Sequence, residues 1–225
     1  MSTSPTLTTR VVLVRHGESN ATVQRRLAGV KCCTGLSDLG VQQAERLRDR
    51  YALGNEAPID AFWSSPVLRA RQTAEIMAKA IGMQPVLDPE FEEHRPGDAE
   101  GLTFDDVIAR FGEPPRAGSM HTRYVQGWET SAEFHYRISG AMHRLVEQHV
   151  GRTVLLACHG GVIDVAFRSF LQLPARGEFD LWTLNTSLTE FAADHGPDEP
   201  PRRWRLARYN DHAHLAGLPA ETRVD

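Results

Sequence analysis

The chain has 225 residues, 41% of them hydrophobic, and a formal net charge of −4 at pH 7. The hydrophobic share is enough for a substantial core. Because the net charge is negative, no overall positive potential attracts nucleic acid, and we expect no nucleic-acid partner. No apolar run reaches the roughly 18 residues of a membrane span, and residues 1–5 lack the pattern of a signal peptide. We therefore expect a cytoplasmic protein with no membrane partner.

The first part of the chain predicts alternating strands and helices. A polar N-terminus precedes a short apolar strand over 11–14. Ser37 is suited to be the N-cap of a helix that ends near residue 54. A second strand covers 59–64, and Pro66 then opens a helix, since a proline at the first helical position loses no hydrogen bond.

The middle of the chain contains one long segment without a strong pattern. A short third strand covers 85–87, and residues 92–115 are charged and rich in glycine and proline, with one short helix around 104–111. So long a segment indicates a functional loop or an insertion. An amphipathic helix around 134–145 follows, and then an apolar strand over 153–158, of the kind that helices bury on both faces.

The last part predicts a helix, a strand pair and a tail. Gly161 opens an apolar helix that runs to Leu171, and strands over 187–192 and 204–208 are expected to pair as an edge hairpin. The alternation along the chain predicts a single three-layer α/β domain over 1–225. Its ordered core covers about 10–209, and both tails are expected to be flexible.

The cysteines indicate no metal or disulfide chemistry. Cys32, Cys33 and Cys158 give an odd count with no spacing suited to zinc or to a disulfide scaffold. We expect three reduced thiols and neither a metal nor a cofactor.

Two histidines each follow a predicted buried strand. Arg15-His16-Gly17-Glu18 follows the first strand, and His159-Gly160-Gly161 follows the strand over 153–158. Ligands gather at the carboxyl edge of open α/β sheets, so the two histidines are expected to share one pocket. Phosphate loops, dinucleotide fingerprints and serine-hydrolase elbows are absent from the sequence. The remaining set of histidines, arginines and carboxylates suits phosphoryl transfer to an imidazole nitrogen.

Four segments carry a family resemblance. Residues 15–19, residues 64–74, Glu93 with 100–102 behind it, and residues 159–161 resemble the four motifs of the histidine phosphatase superfamily, in its phosphoglycerate mutase-like branch. They occur in the family's order and span nearly the whole chain. The resemblance implies a three-layer α/β/α sandwich on a mainly parallel sheet and a covalent phosphohistidine intermediate.

The resemblance also implies a role for each motif residue. His16 is the nucleophile, with one ring nitrogen donating to a backbone carbonyl so that the other is free to attack. Arg15 and Arg69 are the phosphate clamps, and Arg69 lies near a helix N-terminus, which also attracts anions. His159 is the second histidine of the pocket, where a protonated ring would stabilise the transferring phosphoryl group.

Three further positions complete the expected site. Glu93 is the general acid because its spacing to the Gly-Leu pair at 101–102 fits the family, and Glu92 stays as the alternative. Thr22 stands where the family often has an asparagine that contacts the phosphate. Gly160 allows a close backbone approach and offers an N–H to the substrate.

The motifs imply a small phosphorylated substrate and leave three functions open. A phosphoric monoester hydrolase of the histidine acid phosphatase type is preferred, since residues 93–127 show no recognisable mutase lid and no lysine. A cofactor-dependent phosphoglycerate mutase and a non-catalytic protein that binds a phosphorylated ligand are the alternatives. A homodimer is also left open.

Overall fold

The computed structural model describes residues 6–114, 120–176, 179 and 181–222. The strands are β1 (Leu7–Arg15), β2 (Ala61–Ser64), β3 (Val86–Leu87), β4 (Thr153–Cys158), β5 (Leu188–His195) and β6 (Arg205–Asp211). The α-helices are α1 (Asn20–Val23), α2 (Asp38–Ala52), α3 (Leu68–Ile81), α4 (Phe104–Phe111), α5 (Ser131–Gln148) and α6 (Gly160–Phe170). Each predicted strand and helix is present, with bounds shifted by a few residues.

The strands form one six-stranded sheet in the order β3-β2-β4-β1-β5-β6. The four strands from β3 to β1 are parallel, whereas β5 pairs antiparallel with β1 and β6 antiparallel with β5. The predicted edge hairpin is therefore confirmed, and the sheet is mixed with a parallel centre. β1 begins at Leu7, earlier than expected, because its pairing with β5 extends back to His195.

Helices cover both faces of the sheet and confirm the three layers. Alternate strand residues point to opposite faces. On one face, Leu13 and Leu156 pack with α5 and α6 in a cluster that includes Ile138. On the other face, Val14 and Leu155 pack with α2 and α3. β4 is buried at every residue, as its unbroken apolar sequence predicts.

Caps explain where several helices begin. Ser37 accepts the Gly40 N–H at the start of α2, as predicted. α4 and α5 begin with reciprocal capping boxes, in which Thr103 and Thr130 exchange hydrogen bonds with an acidic residue of the first turn. α3 begins at Leu68, so Pro66 precedes the helix rather than opening it.

Residues 211–222 make specific contacts with the rest of the domain, whereas a flexible tail beyond a core ending near 209 was expected. β6 continues to Asp211, which pairs with Arg50 of α2 at 2.6 Å, and Ala213–Leu215 form a short 3-10 helix. These contacts are ion pairs and backbone hydrogen bonds. Such contacts do not require regularly spaced apolar residues, so the sequence pattern did not predict them. Among the described helices, none has the length and apolar character that crossing a membrane requires.

Candidate active site

The parallel pairing of β1 and β4 brings the two predicted histidines together. Arg15 pairs with Cys158 at the ends of these strands, and the His16 N–H donates to the Cys158 carbonyl at 2.9 Å. The rings of His16 and His159 then lie with centroids 5.1 Å apart. Both side chains are buried. The strand register thus builds one pocket from two distant segments.

The contacts of His16 fix its tautomer. Nδ1 lies 2.7 Å from the Gly17 carbonyl, and Arg69 Nε donates to Nε2 at 3.0 Å. A carbonyl only accepts and a guanidinium only donates, so the proton is on Nδ1 and a lone pair is on Nε2. Burial, followed by the charges of Arg69 and Arg15, holds the pKa of His16 well below its ordinary value. The ring is therefore neutral, with Nε2 in the form that can attack phosphorus.

Arg15 is oriented by backbone and carboxylate groups. Its Nη1 donates to the Thr183 carbonyl and lies 3.7 Å from Glu221 Oε1. Its Nε is buried and has no hydrogen-bond partner among the described residues. This leaves an N–H of a fixed guanidinium for an anion.

Arg69 lies in the first turn of α3 and is buried beside the nucleophile. Its Nη1 donates to the Ala28 carbonyl at 2.7 Å and lies 3.6 Å from Cys33 Sγ. None of its hydrogen bonds in the described part of the chain goes to a carboxylate. Two arginines beside two buried histidines form a strongly anion-attracting pocket.

His159 precedes α6 and is fully buried. Its Nε2 lies 2.8 Å from Ser65 Oγ. Burial, with the nearby charges of Arg69, His16 and Arg15, holds the pKa of His159 well below its ordinary value. Burial and the neighbouring positive charges both favour the neutral ring. A protonated His159 during phosphoryl transfer stays a prediction.

Glu93 is held against the start of α6. Its Oε2 accepts the Gly161 N–H at 3.0 Å and its Oε1 accepts the His94 N–H at 2.9 Å. Glu92 instead pairs with Arg95 at 2.8 Å. The structure therefore brings Glu93, and not Glu92, to the pocket.

The two glycines after His159 have different surroundings. A Cβ at Gly161 would lie 2.4 Å from Glu93 Oε1, so the Glu93 carboxyl fits only against glycine, and the Gly161 N–H donates to it. A Cβ at Gly160 would lie 3.8 Å from Arg15 Nε, which is an ordinary contact. A contact between the Gly160 backbone and the substrate stays a prediction.

Thr22 lies in α1, where its hydroxyl and Ser19 Oγ are 2.9 Å apart. Its N–H also donates to Ser19 Oγ, which makes the pair a local helix cap. A phosphate contact by Thr22 stays a prediction.

The sequence profile of the histidine phosphatase superfamily (branch 1) matches residues 11–212. The chain belongs to this superfamily. It is 30% identical to phosphoglycerate mutase-like protein 4 of Arabidopsis thaliana, over 91% of this chain and 86% of the relative. It is 27% identical to a metal-independent phosphoserine phosphatase of the same plant, over 93% and 84%. A mycobacterial glucosyl-3-phosphoglycerate phosphatase has the same fold, with a TM-score of 0.72 and 25% identity over 92% of this chain and all of that one.

In this member of the superfamily, a cavity of about 490 Å³ adjoins Arg69 and Glu93. Its size suits a small organic group. The other lining residues combine apolar and polar side chains, among them Arg26, Leu27, His94, Pro96, Trp128 and Ser131. A group bound in this cavity would lie beside the Glu93 carboxyl.

Several residues that contact or support the candidate site were missed in the sequence. Asn185 Nδ2 donates to the His16 carbonyl at 2.7 Å, and its own N–H donates to Glu221 Oε2 at 2.6 Å. Arg137 supports the acid loop, because it donates to the Glu92 carbonyl and pairs with buried Glu129 at 2.6 Å. The one available signal was the polar run 185–187, which is buried directly before β5.

Proposed function

We propose that this protein is a phosphatase that hydrolyses small phosphomonoesters through a phosphohistidine on His16. The observation that carries the proposal is the fixed tautomer of His16, whose Nε2 lone pair accepts from Arg69 while the charge of Arg15 also acts on the ring. Relatives named as phosphatases support the reaction class. Three free cysteines fit action in the reducing cytoplasm.

The first step transfers the phosphoryl group to the enzyme. Arg15 and Arg69 bind the phosphoryl oxygens, and Arg69 Nε leaves His16 Nε2 to do so. Nε2 attacks phosphorus, an N–P bond forms and the bond to the alcohol oxygen breaks. Glu93 in its acid form gives its proton to that oxygen, so the alcohol leaves neutral.

The second step returns the enzyme to its starting state. Glu93, now a carboxylate, takes a proton from a water molecule whose oxygen attacks phosphorus. The N–P bond breaks, phosphate leaves and Nε2 regains its lone pair. The sum of the two steps is the ester and water giving the alcohol and phosphate.

The arginines of the acid loop favour hydrolysis over the mutase reaction. A mutase must hold a second phosphate, yet Arg95 pairs with Glu92 and Arg123 pairs with Glu133. Arg110 lies over the ring of Phe111, and Arg116 lies outside the described residues. Apart from the clamp Arg69, Arg26 is the arginine that lines the cavity in the described chain.

A generic aryl phosphate tests the proposal. The wild-type protein should release phosphate, and His16→Ala should lower kcat by at least about 10⁴-fold, since it removes the nucleophile. His143→Ala, at an exposed position of α5, is the matched control and should keep wild-type activity. An acid-labile phosphorylated protein should form with the wild type only. Binding of phosphate without turnover would instead indicate a non-catalytic protein.

Three further assays bear on the finer assignment. Rapid interconversion of 3-phosphoglycerate primed with 2,3-bisphosphoglycerate would establish the mutase alternative. We also propose the acid phosphatase type, because the lowered pKa of His16 keeps its ring neutral in acid. Turnover should then persist below pH 6, and a steep loss just below pH 7 would contradict this. A screen of phosphorylated metabolites identifies the alcohol.

A further inference from the structure

Ser65 is a buried hydroxyl in direct contact with the second histidine. It directly follows β2, and its N–H donates to the Ala157 carbonyl at 3.0 Å, which attaches it to β4. Its Oγ lies 2.8 Å from His159 Nε2 and accepts the Val67 N–H at 3.3 Å. These contacts leave open whether the Ser65 hydroxyl donates to His159 Nε2 or accepts from it.

Two arrangements of protons fit the 2.8 Å contact. If Nε2 carried the proton and donated to Ser65, the hydroxyl proton would lack an acceptor, and the lone pair of Nδ1 would lack a donor. If Ser65 donates to Nε2, its hydroxyl donates one hydrogen bond to His159 and accepts one from the Val67 N–H. His159 then carries its proton on Nδ1. Buried polar groups without a partner are costly, so the second arrangement is favoured.

The second arrangement leaves a single polar group for a ligand. His159 Nδ1 is buried and has no hydrogen-bond partner among the described residues. The charges of Arg15 and Arg69 act on the same ring, which lies beside the ring of His16. A fully ionised phosphoryl group offers only acceptors, so it is attracted by an N–H at Nδ1 and repelled by a lone pair there.

We propose that Ser65 is a positioning residue: its hydroxyl donates to Nε2 and thereby keeps the proton of His159 on Nδ1, as a donor to a phosphoryl oxygen. This inference rests on the proposed function, since it assigns His159 a neutral role in the same reaction. His159 then stabilises the phosphoryl group by a directed hydrogen bond rather than by a full positive charge.

Nitrogen NMR on protein labelled with ¹⁵N-histidine tests the tautomer directly. The His159 signals are assigned by their loss in His159→Asn. In the wild type the proton should be on Nδ1, and inorganic phosphate should shift the Nδ1 signal. A proton on Nε2 in the wild type would overturn the proposal. The measurement needs no turnover, so it remains decisive even if the protein proves not to be a phosphatase.

Two variants, Ser65→Ala and Ser65→Thr, test the consequence for the reaction. Ser65→Ala should lower kcat for an aryl phosphate about 10- to 100-fold. This corresponds to losing the hydrogen bond from His159 Nδ1–H to the charged phosphoryl group. It should also mix the two tautomers, while KM stays within about threefold because both arginines remain. Ser65→Thr keeps the hydroxyl and should restore kcat and the Nδ1 proton.

Ser64→Ala is the matched control for Ser65→Ala. Ser64 is equally buried, and its hydroxyl donates to the neighbouring Ser65 carbonyl rather than to His159. Its kcat should stay within about twofold of the wild type, as expected for a hydroxyl outside the reaction. If Ser65→Ala is folded and keeps wild-type kcat and tautomer, Ser65 has no positioning role. If Ser65→Ala does not fold, the wild-type spectrum and Ser65→Thr decide.

Discussion

Two regions far apart in the chain determine the position of Arg15. The N-terminal motif, residues 15–19, supplies Arg15 and His16 at the end of β1. The C-terminal segment, residues 210–222, returns to this edge and places Glu221 beside Arg15. The first region could be identified from its motif, and the second could not. A short motif thus identifies the candidate reacting side chains, whereas their orientation depends on contacts with residues far away in the chain.

The contacts of the C-terminal segment are polar and specific. The Glu221 side chain is 5% exposed, and its Oε2 accepts the Asn185 N–H. Asn185 in turn holds the carbonyl of the nucleophile. The Thr222 N–H donates to Glu18 Oε2 at 2.7 Å, which joins the end of the segment to the N-terminal motif.

The largest effect is expected in the N-terminal motif. Arg15→Ala should lower kcat/KM for an aryl phosphate about 100- to 1000-fold, because it removes a fixed donor to the phosphoryl group. Arg71→Ala is the control, since Arg71 pairs with Glu75 on the outer side of α3. Steady-state kinetics measure both. Equal losses in the two variants would mean that Arg15 does not bind the phosphoryl group.

A smaller loss is expected in the C-terminal segment. Glu221→Gln should lower kcat/KM about 3- to 30-fold, because Arg15 stays in place but loses a charged partner that orients it. A chain that ends at residue 217 should behave in the same way. Glu199→Gln, in the loop between β5 and β6, should match the wild type. An increase in activity would mean that Glu221 competes with phosphate for Arg15.

The smallest effect concerns stability against pH. Burial lowers the pKa of His214, in the C-terminal segment, to about 4, and it also lowers the pKa of His16. The unfolded chain binds more protons below about pH 6.5, so the stability from both groups is present above that pH and lost as the pH falls towards 4.

Urea unfolding at several pH values measures this loss. Each such histidine contributes at most about 1.4 kcal/mol per pH unit to the slope. His214→Gln should therefore give a shallower fall of the unfolding free energy between pH 6.5 and 5 than the wild type. An unchanged slope would show that the C-terminal segment does not bury His214 in solution.

The sequence predicted those parts of the fold that depend on local patterns. β4 was predicted residue for residue because an unbroken apolar run is needed where helices cover both faces. The N-cap of α2 and the choice of Glu93 over Glu92 also agree with the structure. The lowered pKa of His159 was not predicted, because the effects of burial and of two nearby arginines depend on distances that a sequence does not contain.

The residues that support the site left weaker signals: Ser65 lies in the second motif and Asn185 in the polar run 185–187, but neither signal identifies a partner. Ser65, Asn185 and Glu221 act through single hydrogen bonds or ion pairs to residues 94, 169 and 206 positions away. Nothing in their neighbours indicates these partners. The sequence around a polar loop residue is the same whether its side chain is exposed to solvent or buried against His16.

The hydrogen bond from Gly161 to Glu93 has a consequence for substrate choice. The acid is attached to the first turn of α6, and His159 lies directly before that turn. In the proposed mechanism, this attachment sets the spacing between His159, which contacts the phosphoryl oxygens, and Glu93, which contacts the bridging oxygen. That spacing depends on the phosphate ester linkage and not on the alcohol. Selection among alcohols would then fall to the cavity beside Trp128, whose lining includes residues outside this attachment.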